Sequence, residues 1–104
     1  MKQEKLLEPP FDKIVEEKIH RKIGENVKKL REKHGFTQME LAQELGFKSV
    51  SVISQGEIYK NKQHFNIIHL AKIACVLREP MWKFFEGVDE ILEDECNSIK
   101  DNYG

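Results

Sequence analysis

The residues of this chain with types and spacing suited to chemistry cluster around one short stretch, KSVSVISQGE, Lys48 to Glu57. Ser49, Ser51, Ser54 and Gln55 supply hydroxyls and an amide. Serine bonds donors and acceptors alike, and glutamine can pair with an adenine edge through two atoms. Lys48 stands before the stretch, and Lys60, Lys62 and His64 follow it. These are cations of the kind that neutralise phosphates. Gln38 and Asn66 stand where flanking helices would begin, and a helix start commonly holds phosphate. For Asn66 the plain role of a helix cap is the expectation, with the helix end open to a phosphate beside it. The chemistry this set suggests is hydrogen bonding to DNA, with lysine rather than arginine around the reading residues, so strong guanine readout is not expected.

Other chemistries find no support. His20, His34, His64 and His69 do not fall at zinc-ligand spacing with Cys75 and Cys96. No glycine-rich phosphate loop, dinucleotide fingerprint or nucleophile motif occurs. No enzyme, metal or cofactor is therefore expected. Cys75 lies on an apolar helical stretch and is expected in the core. Two cysteines make no disulfide framework. The leader MKQEKLLEPP has no signal-peptide core, and no apolar run is long enough for a membrane span. The expectation is a reduced, cytoplasmic protein.

The 104 residues suffice for one modest core, and mean hydropathy is −0.58. Net charge is −1, but it is sorted along the chain. Residues 1–17 sum to −2, residues 18–64 to +5, residues 65–85 to +2 and residues 86–104 to −6. A basic middle and an acidic tail result.

Helical periodicity governs the elements that must position the polar set. Pro10 suits a first helical turn. Phe11, Ile14, Val15, Ile19, Ile23, Val27 and Leu30 then mark one face of a helix, or of two in line, with Arg21, Lys22 and Arg31 mostly off it. His34-Gly35 is a stop. Thr37-Gln-Met-Glu40 fits a capping box, Leu41, Ala42 and Leu45 form an inner face, and Gly46 ends that helix. Lys48-Ser49 offers the next start, for a helix from about 49 to 57. Residues 58–64 read as a basic loop. Asn66 caps a helix carrying Ile67, Leu70, Ile73, Ala74 and Leu77. Pro80 begins a short helix with Met81, Trp82, Phe84 and Phe85, which Gly87 can break. The tail is expected to be helical at its start.

Two short helices around a glycine turn form a helix-turn-helix. Ala42 sits at the close approach, Gly46 turns the chain, and Ile53 pins the second helix from below. FTQMELAQELGFKSVSVISQGE, followed by HFNIIHLAKIACVL and PMWKFF, resembles the Cro/repressor-type helix-turn-helix family of bacterial and phage regulators over about residues 19–86. The resemblance implies an all-α, compact five-helix bundle of the lambda-repressor-like kind. It also implies double-stranded DNA as partner, a homodimer and control of transcription. Residues 1–18 would be a helical extension and residues 87–104 an acidic C-terminal tail.

The chain departs from the family pattern. Gly46 to Glu57 is one residue longer than usual, Gly56 replaces a large apolar residue, and the loop after Glu57 is long. A helical glycine costs about 1 kcal/mol against alanine. Either the helix ends near Gln55, or another segment packs against Gly56. Val50 and Val52 are core contacts or thymine-methyl contacts. The family's dimers use the end of the fold that here carries Trp82, Phe85, Val88, Ile91 and Leu92. The acidic tail is inert, repels non-specific DNA, or touches RNA polymerase or another protein. The subtypes open to the chain are a restriction–modification controller, an antitoxin and a phage-type repressor. The alternative is a protein-interaction module that keeps the fold without specific DNA binding.

Overall fold

Residues 12–103 are described by the computed structural model, and the elements among them are helical. Asp12 opens α1 (Lys13–Lys33) by accepting the backbone N–H groups of Ile14 and Val15 on Oδ1 at 3.0 and 3.1 Å. Pro10 and Phe11 lie outside the described residues. The helix runs unbroken through residues 18 and 19, a rod of about 31 Å at the usual rise. Val15, Ile23 and Val27 are buried, while Ile19 and Leu30 pack partly against the core. Two expectations for α1 need correction. Ile14 is 64% exposed, because neighbouring residues of a helix point about 100° apart and Val15 takes the inward place. Arg31 is buried, because it lies four residues after Val27 on the same stripe and meets a carboxylate there.

His34 caps α1 and Gly35 turns the chain at φ +78°. Thr37 and Glu40 make both bonds of the expected capping box at the start of α2 (Gln38–Glu44). Gly46 follows at φ +77°, a left-handed value cheap only for glycine, and redirects the chain to α3 (Ser51–Ile58). A single 3₁₀ turn spans Lys60–Lys62. Then comes α4 (Ile67–Leu77), started by a second capping box between Asn66 and His69. A 3₁₀ helix over Met81–Phe85 leads into α5 (Val88–Tyr103), so the acidic tail is helical well beyond its start.

The core joins Val27 of α1, Leu41 and Ala42 of α2, Ile53 of α3, Ile73 and Leu77 of α4, and Phe84. The short 3₁₀ helix thus puts one of its large side chains inside and leaves Trp82 60% exposed. Cys75 is exposed, contrary to the expectation of a core position, because Leu70, Ile73, Ala74 and Leu77 define the inner face of α4 and Cys75 lies off it. Asn26 is buried and donates from Nδ2 to the carbonyls of Phe84 and Glu86 at 2.9 and 2.8 Å, which seats α1 on the entry to α5. Two unpaired carbonyls at that bend would otherwise be costly.

Gly24 is explained by the crossing of α1 and α3, and Gly56 by the Phe65 ring. A Cβ on Gly24 would lie 2.6 Å from the carbonyl oxygens of Gly56 and Glu57. A Cβ on Gly56 would lie 2.7 Å from the Phe65 ring. The helix does not end near Gln55. It continues to Ile58, and the phenyl ring from the following loop fills the place of a side chain at residue 56. No helix among the described residues is long and apolar enough to cross a membrane.

Candidate nucleic-acid interface

The spacing of α3 sorts its side chains. Ile53, Gly56 and Glu57 are buried, and Val52 packs partly against the core. At 100° per residue, Ser51, Ser54, Gln55 and Ile58 share the opposite face. Val50 is half-buried at the N-cap, and no side chain caps the helix there. The helix starts two residues later than expected, at Ser51, so Ser49 lies before it, and the Ser49 Oγ accepts the Ser51 N–H at 3.3 Å. The two hydroxyls lie 2.6 Å apart, and Ser54 Oγ reaches the Ser51 carbonyl only weakly at 3.5 Å. That outer face therefore carries small hydroxyls, the Gln55 amide, which bonds no side chain among the described residues, and an apolar Ile58 that is 54% exposed. Sequence reasoning passed over Ile58, although its place three residues after Gln55 was the available signal.

Glu57 is the single acid of α3, and it is withdrawn from that face. Its side chain is 1% exposed. Arg31 donates from Nε to Oε2 at 2.7 Å and from Nη2 to Oε1 at 3.1 Å, the two-bond fork that suits a carboxylate. Arg31 Nη1 also donates to the Phe36 carbonyl at 2.7 Å, closing the turn between α1 and α2. Gln38 joins the same carboxylate, donating from Nε2 to Glu57 Oε1 at 3.0 Å. One N–H of the Gln38 amide is thus held inside the protein, and the other remains to meet an acceptor. A single network orders the start of α2, the end of α1 and the underside of α3.

The flanking cations are all exposed. Lys48 precedes α3, while Lys60, Lys62 and His64 lie in the loop after it. Among the described residues none of Lys48, Lys60 and Lys62 pairs with a carboxylate. Asn66 is exposed two residues after His64, and its Oδ1 is committed to the His69 N–H at 2.8 Å.

That loop has an unusual backbone. Tyr59, Asn61 and Lys62 take left-handed φ values of 56°, 54° and 63°. The left-handed form costs about 1–2 kcal/mol for a residue with a Cβ, less for asparagine. Its neighbour is α1. The His20 ring stacks on His64 with centroids 3.9 Å apart and on Tyr59 at 5.5 Å. Burial, then the charge of His64, hold His20 below the usual histidine value, against the opposite pull of Glu16. Arg21 donates from Nη1 to the Ile58 carbonyl at 3.0 Å and lies over the Tyr59 ring. Neither His20 nor Arg21 stood out in the sequence, because only the folded loop brings their partners near.

The residues expected to join copies of the chain lie in the last 3₁₀ helix and in α5. Trp82 and Phe85 are exposed, Ile91 and Leu92 are half-buried, and Val88 is buried within its own chain.

A helix-turn-helix family model matches residues 27–81, from the second half of α1 to the start of the last 3₁₀ helix. The family is one of DNA-binding regulatory domains. No curated protein matches the chain.

Proposed function

We propose, because this chain belongs to the Cro/repressor-type helix-turn-helix family, that it is a sequence-specific transcription regulator working as a homodimer on an inverted repeat. The observation that carries the reading is the burial of Glu57. Its charge is matched by Arg31, so α3 presents no carboxylate toward phosphates that would repel it. Ser51, Ser54 and Gln55 then face the base edges in the major groove, with Ser49 and Lys48 at the entry. Lys60, Lys62 and His64 meet the backbone, and Gln38 offers its remaining amide N–H to a phosphate at the start of α2.

One short reading helix binds weakly. Two copies related by a two-fold axis place two such helices on half-sites about 34–36 Å apart. Exposed Trp82 and Phe85, and the half-buried Ile91 and Leu92 of α5, supply apolar surface for that contact. The acidic residues of α5 are left to repel non-specific DNA or to meet RNA polymerase or another protein. The site of action is the cytoplasm, and neighbouring genes would separate a restriction–modification controller, an antitoxin and a phage-type repressor.

The test is selection of duplexes from a random pool by the purified protein, with its oligomeric state measured alongside. A two-fold symmetric site should be enriched, and replacing Ser51 or Gln55 should change the preferred bases. Trp82→Ala should shift the protein toward monomer and lower affinity for the symmetric site. A folded dimer that enriches nothing at low salt would instead support a protein-interaction module.

A further inference from the structure

Fourteen residues of α1, 13–26, precede the segment matched by the family. They are not a free overhang. His20 and Arg21 of α1 meet the chain from Ile58 to His64, and among the described residues the loop makes few other bonds. None of residues 58–64 is buried. The bonds within the loop are Lys62 N–H to the Tyr59 carbonyl, Gln63 N–H to the Lys60 carbonyl, and a contact of His64 Nδ1 with the Lys62 carbonyl. Yet three of its residues keep left-handed backbones that a side chain disfavours. Such a conformation persists only where the surroundings impose it.

We propose that Glu17, His20 and Arg21 form a positioning clamp that holds the Tyr59–His64 loop in its left-handed shape and so aims Lys60 and Lys62 at the DNA backbone. The part concerning DNA rests on the function proposed above. Glu17 holds the Arg21 Nε at 2.7 Å, which fixes the guanidinium. Arg21 then satisfies the Ile58 carbonyl at the end of α3 and covers the face of Tyr59, the first left-handed residue. His20 stacks on Tyr59 and on His64, so both ends of the loop rest on one imidazole. The clamp thus links the N-terminal turns of α1, outside the matched segment, to the residues that follow the reading helix.

The experiment compares the full-length protein with Arg21→Ala, His20→Ala and His20→Phe. Backbone NMR shifts report φ at Tyr59, Asn61 and Lys62, and amide exchange is followed at Lys62 and Gln63. Binding to a duplex from the random-pool selection is titrated with salt. Arg21 and His20 lie outside the hydrophobic core, so α2 and α4 should keep their protection in every variant. Both alanine variants should lose the left-handed shifts and exchange about tenfold faster at Lys62 and Gln63, as expected of local opening. They should bind all duplexes several-fold more weakly, with a shallower salt dependence. His20→Phe, which keeps a stacking ring, should restore both readouts. Unchanged shifts and exchange in the alanine variants overturn the clamp. Altered loop backbone with unchanged duplex affinity overturns its role in aiming the lysines. A parent protein that binds no duplex overturns the DNA-binding function, and with it the aiming of the lysines. The shifts and exchange then still support or overturn the holding of the loop.

Discussion

Arg31 and Glu57 form a two-bond ion pair on the buried side of α3, with Nε–Oε2 at 2.7 Å and Nη2–Oε1 at 3.1 Å. The partners stand 26 residues apart and both side chains are almost wholly buried. A buried pair contributes little net stability over an apolar replacement, but a lone buried charge is costly. Glu57→Leu should therefore destabilise the protein by about 3–5 kcal/mol in denaturant unfolding. Arg31→Met added to Glu57→Leu should recover most of that loss. The double variant frees Gln38 from its carboxylate, so duplex binding should stay impaired although stability returns.

Gly56→Ala sets two effects against each other. Alanine is the better helix former by about 1 kcal/mol. The new methyl, however, falls 2.7 Å from the Phe65 ring, which is itself buried. Overpacking of this kind costs about 1–3 kcal/mol, so the midpoint of urea unfolding should fall. Phe65→Leu should cost less when combined with Gly56→Ala than when made alone, since the smaller side chain makes room for the methyl. Additive effects in that cycle would show that the ring does not press on residue 56.

Acid should weaken the fold in two windows. Burial, Lys72 and then His64 hold His69 below its ordinary 6.5, as burial and His64 do for His20. A depressed histidine binds fewer protons folded than unfolded, so stability is full above about 6.5 and declines as pH falls below it. His69 Nδ1 also accepts the Asn66 N–H, a bond that a proton on that nitrogen removes. Glu79 governs the lower window. Bonds from His34, Lys83 and Lys33, and the charge of Lys33, lower its carboxyl from 4.5 to about 2. Its contribution is present above 4.5 and is lost as pH falls toward 2. Glu79→Gln should flatten stability against pH in that lower range and leave the histidine window in place.

Salt separates backbone contacts from base contacts. Lys60→Ala and Lys62→Ala should each weaken all duplexes alike and reduce the slope of log K against log salt by about 0.9. Gln55→Ala should leave the slope unchanged and relax base preference at one position in each half-site. A lysine variant that alters base preference without touching the slope would remove that lysine from the backbone contacts.

The sequence by itself determined that the elements are helical and where several of them start and stop. Thr37 with Glu40, Asn66 with the next helix, and the glycines at 35 and 46 act through bonds and dihedrals within a few residues, so local pattern sufficed. The helix-turn-helix was legible for the same reason, since Ala42, Gly46 and Ile53 stand at fixed short offsets. Tertiary structure alone decided what depends on distant partners. Arg31 looked like a surface cation until Glu57 came beneath α3, and Cys75 looked like core until the inner face of α4 was fixed. The sequence left Gly56 with two explanations, and the Phe65 ring chose between them. His20 and Arg21 carried no signal at all, because stacking and a carbonyl bond 37 residues away exist only once the loop folds back on α1. Local chemistry sets where a helix begins and ends, whereas a charge, a glycine or an imidazole takes its role from whatever the completed fold lays against it.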